Sequence, residues 1–177
     1  ADTDWSLGVV VGGGGIAREY ISVARELGVN EIALDEIGIG VTRLNARLLI
    51  SALGDDAHPS PVERYEGGLE AIRQGDIPVL GGIAPGQTTD AVSAALAEYV
   101  DADLLVYATS VPGVFTADPN VDAEADHIEA MTPRELVDVI VDTELVAGSS
   151  APGDLLAAKL IERSGMRTIV LDGTDPD

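Results

Sequence analysis

The stretch LGVVVGGGGIARE, Leu7 to Glu19, carries the feature on which the fold turns. Leu7–Val11 is a short apolar, β-branched run without polar alternation, as a strand buried on both faces requires. It stops at four consecutive glycines, Gly12–Gly15, and Ile16–Leu27 then predicts a helix ending at Gly28. Strand, glycine turn and helix in that order make the entrance to a βαβ unit. Glycine lets the backbone approach an anion closely, and the free N–H groups of the following helix supply donors at its positive dipole end. The run therefore reads as a phosphate-facing turn.

The same grammar continues outward. Leu44–Leu53 predicts a helix stopped by Gly54, His58-Pro59-Ser60-Pro61 a loop, and Val62–Gln74 a helix before Gly75. Ile77–Leu80 is a second buried strand, again ending in glycines, Gly81 and Gly82. Thr89–Val100 predicts a helix that Thr88, Thr89 or Asp90 can cap. Leu104–Ala108 is a third strand, and Gly113–Asp118 an irregular loop or short hairpin. Thr132-Pro133-Arg134-Glu135 is a capping box with proline at the first helical position, opening a helix to about Val141. Pro152–Ser164 predicts a further helix and Arg167–Leu171 a last strand. Continuous apolar strands alternating with helices specify a mostly parallel sheet covered on both faces. The expectation is α/β, a three-layer αβα sandwich, with residues 1–177 in a single domain.

Composition narrows the function. Asp and Glu number 31 against 10 Lys plus Arg, a net charge of −21, and Lys159 is the only lysine. Such a surface repels nucleic acid and anionic membranes, whose binding depends on cationic contacts. The acids are scattered and form no single tail, which favours adaptation of the whole surface to high salt, where screening shortens self-repulsion. At 3% aromatic residues the composition argues against a stacking-based nucleic-acid platform. The chain has no cysteine, which rules out disulfides and thiolate metal sites. No apolar run reaches membrane-spanning length, so a soluble, cytoplasmic location is expected.

Ligands of such sheets bind beyond the carboxyl ends of the strands. Three of these ends are unusual: Gly12–Gly15, Gly81–Asp90 and Thr109–Asp118. The glycine run admits a rival reading. Gly12, Gly14 and Ala17 fit G-x-G-x-x-A, and Asn30–Leu34 followed by Asp35 would give the second strand and ribose-binding acid of an NAD(P)-dependent oxidoreductase. The segment Ile83-Ala84-Pro85-Gly86-Gln87-Thr88-Thr89-Asp90 offers hydroxyls, an amide and backbone donors at a helix start, a cradle for a monophosphate, with Asp90 either a cap or a ligand contact. In the loop Thr109–Asp118, Phe115 reads as an exposed aromatic that either packs on a nucleobase or belongs to the core, and Asp118 as an acceptor for sugar hydroxyls. His58 and His127 fall in loops and receive no role.

Together VGGGGIAREY (Val11–Tyr20), DEIGIGVTRLNARLLI (Asp35–Ile50), PGQTTDA (Pro85–Ala91), ATSVPGVFTADP (Ala108–Pro119) and AGSSAPGDLLAAK (Ala147–Lys159) resemble the amino acid kinase superfamily, and within it the archaeal uridylate kinases of haloarchaeal type. The resemblance implies transfer of the γ-phosphoryl of ATP to UMP in pyrimidine nucleotide synthesis, with Mg²⁺ and a homohexamer. By position it implies Gly13, Asp35 and Ile83, Ala84, Pro85, Gly86, Gln87, Thr88 and Thr89 for UMP. It places Gly14, Arg18, Thr109, Phe115 and Asp118 on ATP, and Asp154 as the acid near the transferred phosphoryl. Lys159 is either a phosphate contact or a surface residue, the latter favoured. The family opens with a further strand and a G-G-S turn on the ATP phosphates and closes with elements beyond Asp177; the 177 residues contain neither, so an N-terminal strand and the C-terminal end are expected to be missing. A non-catalytic nucleotide-binding oligomer of the same fold is the remaining alternative.

Overall fold

The computed structural model describes residues 5–117, 122, 124–144 and 154–174. The chain divides after Val100 into two compact units.

In the first unit, β1 (Val9–Val10) pairs in parallel with β2 (Val79–Leu80). The carbonyls around β2 alternate between two neighbours. Those of Pro78 and Leu80 accept from the N–H groups of Val9 and Val11, those of Ile77 and Val79 from His58 and Val62. A third extended segment, bridged through Ala57 and Val62, therefore runs parallel to β2 on its other edge. Four helices accompany these strands: α1 (Gly14–Glu26), α2 (Glu31–Leu53), α3 (Tyr65–Gln74) and α4 (Thr89–Tyr99). The strand at the centre is apolar on both sides because both are covered. Val79 clusters with Ala46 of α2, whereas Leu80 clusters with Val92 and Leu96 of α4. This is helix on sheet on helix.

Two boundaries differ from expectation. Val62 was expected in the third helix, but its N–H serves the parallel ladder, and α3 begins only at Tyr65. The second helix starts at Glu31, well before Leu44, capped by Asn30, whose Oδ1 accepts from the N–H of Ala33 at 3.0 Å. Gly38 and Gly40 hide its first half from propensity reasoning. Packing explains one of them, since a Cβ on Gly38 would lie 3.3 Å from Ile21 of α1. Asn30–Leu34 is thus a helix start and not a strand, which removes the βαβ geometry that the oxidoreductase reading required.

In the second unit, β3 (Leu105–Thr109) and β6 (Thr168–Asp172) pair in parallel over five residues. Here the expected burial on both faces does not hold: Leu105 is buried, while Val106, Ile169 and Leu171 are exposed. β4 (Val114–Phe115) pairs antiparallel with β5 (His127–Ile128), so the segment after Gly113 opens a ribbon and His127 lies in a strand, not a loop. α5 (Pro133–Glu144) and α6 (Leu155–Ser164) bury Val137, Ile140 and Ala158 against each other. The capping box of α5 forms in both directions, the N–H of Glu135 donating to Thr132 Oγ1 at 3.2 Å and that of Thr132 to Glu135 Oε2 at 2.7 Å.

Candidate functional site

At the end of β1, Gly13 caps α1 in a right-handed conformation (φ −82°, ψ −24°), and Gly14 follows at φ +60°. A right-handed residue followed by a left-handed one turns successive N–H groups toward one concave point, an arrangement suited to anions. The dipole of α1 adds to it. Both positions demand glycine: Gly14 for its positive φ, Gly13 because a Cβ there would collide with that of Ala17.

α2 ties this turn to the one beyond β2. Asn45 Nδ2 donates to the carbonyl of Gly12 at 2.8 Å and reaches that of Gly13 at 3.4 Å. One turn earlier, the buried Thr42 Oγ1 accepts from the N–H of Gly82 at 2.7 Å and donates to the Ile39 carbonyl at 2.7 Å. Arg43 donates through Nε to the Gly82 carbonyl at 3.3 Å and pairs with Glu63 at 2.8 Å. The approach is close because Gly81 and Gly82 have no side chains. A Cβ on Gly81 would meet Thr42 Oγ1 at 2.5 Å, and one on Gly82 would meet Ile39 at 2.8 Å.

Further along the same helix Asp35, half-buried, accepts from the N–H of Gly86 through Oδ2 at 2.8 Å. Gly86 stands at φ +78°, so the loop Ile83–Thr88 is held at its bend by a carboxylate. The loop closes on α4, where Thr88 Oγ1 accepts from the N–H of Ala91 at 3.1 Å. Thr88 is therefore the cap among the three candidates, and Asp90 sits within the first turn of the helix. A Cβ on Gly12 would lie 3.7 Å from Thr89 Oγ1, so the glycine run and the start of α4 are neighbours. Gly13, Asp35 and the 83–89 segment thus converge within the first unit. Arg18, one helical turn after Gly14, is exposed and makes no ion pair among the described residues.

Sequence reasoning missed Thr42, Arg43 and Asn45 as site-builders. Their signal was present: polar side chains at helical spacing in an otherwise apolar run, beside two glycine-rich strand ends.

The second unit holds the remaining candidates. Thr109 Oγ1 donates to the Val111 carbonyl at 2.9 Å and accepts from its N–H at 3.0 Å, so the hydroxyl shapes the turn after β3. Phe115 is half-buried, not exposed, with its ring tilted 52° against His127 at a 5.1 Å centroid separation. Asp118 lies outside the described residues. Asp154 caps α6, its Oδ1 accepting from the N–H of Ala157 at 2.6 Å. Lys159 pairs with Glu162 at 2.8 Å on the surface of α6, in keeping with the surface reading, and this contact holds the Glu162 carboxyl below the usual range.

Known proteins resemble the chain along almost its whole length. The amino acid kinase family pattern matches residues 3–172. A uridylate kinase of Halobacterium salinarum is 73% identical over 175 residues, spanning 99% of this chain and 73% of that protein. Another, from Haloarcula marismortui, is 68% identical over 172 residues, covering 97% of this chain and 75% of that one. Among solved structures, a uridylate kinase from Archaeoglobus fulgidus superposes with a TM-score of 0.86 at 44% identity, over 97% of this chain and 77% of that one. UMP kinase from Bacillus anthracis shares the fold, with a TM-score of 0.75 at 22% identity, over 97% of this chain and 72% of that one.

Proposed function

The chain belongs to the amino acid kinase family, and from that premise we infer that it transfers the γ-phosphoryl of ATP to UMP, giving UDP and ADP. The observation that carries this is identity of up to 73% with uridylate kinases over almost the whole chain. The residues 1–177 act as one nucleotide-binding domain in this reading.

The reaction asks little covalent chemistry of the protein. An oxygen of the UMP phosphate attacks the γ-phosphorus in line, and the bond to the β,γ-bridging oxygen breaks. Because the second pKa of a phosphate monoester is about 6, the nucleophile is already ionised near neutral pH and needs no general base. Positioning and charge neutralisation remain as the catalytic work.

The roles are assigned accordingly. Gly13 and the Ile83–Thr89 loop bind UMP, with Asp35 accepting from ribose hydroxyls through the oxygen not held by Gly86. The geometry supporting this is the Asp35–Gly86 contact and the capped start of α4. Gly14 and Arg18 face the ATP phosphates, supported by the left-handed turn at Gly14 and the exposed guanidinium one turn on. Thr109, Phe115 and Asp118 hold the nucleoside of ATP, and Asp154 organises donors near the transferred group. Mg²⁺ would neutralise charge between the β- and γ-phosphates. Among the described residues no cluster of three His, Asp or Glu side chains could hold a metal, and Mg²⁺ commonly binds through substrate phosphates with one or two carboxylates.

A cytoplasmic homohexamer completes the proposal. Among the described residues no helix is long and apolar enough to cross a membrane. Self-association is supported by an exposed apolar stripe along α1 and its C-cap, Ile16, Tyr20, Val23 and Leu27.

The test is a coupled assay in molar KCl with ATP and Mg²⁺, offering UMP, CMP, glutamate and aspartate in parallel, beside thermal unfolding with each ligand. ADP release with UMP alone is expected. UMP at 100 times its Kd should stabilise the protein by about 2.7 kcal/mol. UMP binding without UDP formation would favour a non-catalytic nucleotide-binding protein, and stabilisation by NAD but not UMP would overturn the reading.

A further inference from the structure

We infer that Asn45 is a positioning residue for phosphoryl transfer: through its amide it aims the N–H groups of Gly13 and Gly14 at the reacting phosphates. This rests on the uridylate kinase reading of the glycine turn.

A trans peptide is a rigid plane in which the carbonyl of one residue and the N–H of the next point in opposite directions. Fixing the Gly12 carbonyl therefore fixes the Gly13 N–H, and fixing the Gly13 carbonyl fixes the Gly14 N–H. Asn45 Nδ2 contacts both carbonyls, at 2.8 and 3.4 Å, from the side of α2. The two N–H groups accordingly face away from α2. The Gly13 carbonyl has one other restraint, the N–H of Ala17 at 3.2 Å, and Gly12 precedes the helix altogether. The orientation of the side chain follows from chemistry, because two carbonyls accept and only the –NH2 end of an amide can donate to both.

The need for such a clamp lies in the glycines themselves. Four in succession have the largest conformational freedom of any tetrapeptide, and donors that must reorganise during the reaction lose most of their value. Asn45 is itself held. It lies half-buried on a helix whose neighbouring residues, Thr42 and Arg43, are bonded to Gly82. One rigid element thereby sets the donors of the first glycine turn and the backbone of the second.

A merely structural asparagine would show its loss in stability, and a ground-state binding residue in KM. A positioning residue shows it in kcat. The native full-length enzyme, Asn45→Ala and the near-isosteric Asn45→Asp, which keeps the volume but has no amide hydrogens, are compared by steady-state kinetics and thermal unfolding. In both variants kcat is expected to fall on the order of ten- to a hundred-fold, as when the outer partner of a functional group is removed. The KM values for UMP and ATP should move by less than about three-fold, as for an interaction made in the transition state. If Asn45→Ala does not fold, Asn45→Asp alone decides. A wild type active on UMP with variants of unchanged kcat, or with losses confined to KM or melting temperature, overturns the role of Asn45 and leaves the kinase reading intact. A wild type that does not phosphorylate UMP overturns that reading, and the inference with it.

Discussion

In the proposed acceptor site Asp35 is the residue on which UMP binding depends most directly. Its Oδ2 holds the Gly86 N–H at 2.8 Å. A carboxylate has a second oxygen with its own lone pairs, so docking the loop and accepting from a ribose are compatible tasks. Hydrogen bonds to a charged group are worth about 1.5–3 kcal/mol, and Asp35→Ala should therefore weaken UMP binding by about ten-fold or more. Asp35→Asn still offers one acceptor to Gly86 and should keep the loop in place, giving a smaller loss. Calorimetric titration of UMP into the three proteins checks this. An Asp35→Ala protein with the wild-type Kd would remove Asp35 from the site.

α5 offers a cleaner view of how a single element is held, because its cap closes in both directions. Glu135 takes hydrogen bonds from the N–H and hydroxyl of Thr132, at 2.7 and 2.8 Å, and these hold its carboxyl below the usual glutamate range. A folded-state pKa below the unfolded one means that the contribution is fully present above the unfolded value and is lost as pH falls through the folded one. The melting-temperature difference between wild type and Glu135→Gln should thus persist near neutral pH and close on the acid side of about pH 4.5. A difference that stays constant with pH would show that the charged carboxylate does not serve the cap. This cap was legible because S/T-x-x-E with proline is a local device, readable in four residues. So were the strand ends, where apolar runs meet glycine. The first half of α2 was not legible. Gly38 and Gly40 depress helix propensity there, and what keeps the helix is contact with partners distant in sequence, Ile21 and the glycines at 81 and 82. The same distance concealed the site-building roles of Thr42, Arg43 and Asn45, whose glycine partners lie 32 to 40 residues away. Glycines that appeared to be turn-makers proved to be, in part, spaces cleared for a helix. Val62 misled for a related reason, since its place in the parallel ladder is decided by Val79 and not by its own neighbours.

Across the whole molecule, the net charge of −21 outweighs any single contact. Self-repulsion at that charge works against the compact state, and both proposed substrates are anions that the surface repels. Salt acts on the two problems together. The Debye length is about 10 Å at 0.1 M ionic strength and about 3 Å at 1 M, so repulsion between neighbouring carboxylates is largely screened at the upper end. Melting temperature should therefore climb with KCl over this range. The effect on catalysis separates two electrostatic contributions. Contacts between phosphates and a few cations, Arg18 among them in the proposed site, weaken with salt, which on its own would lower kcat/KM. Long-range repulsion from the whole surface also weakens, which raises it. Ten basic residues are set against 31 acidic ones, and in the proposed site the glycine turn binds through backbone N–H groups that carry no net charge. The long-range contribution should prevail, and kcat/KM for UMP should rise between about 0.1 and 1 M KCl, the reverse of the usual response of a phosphate-binding protein. Initial rates across that series, taken below the melting temperature at every salt concentration, measure it without interference from unfolding. A steady fall in kcat/KM would mean that local cationic contacts, and not the acidic surface, govern the approach of the substrates.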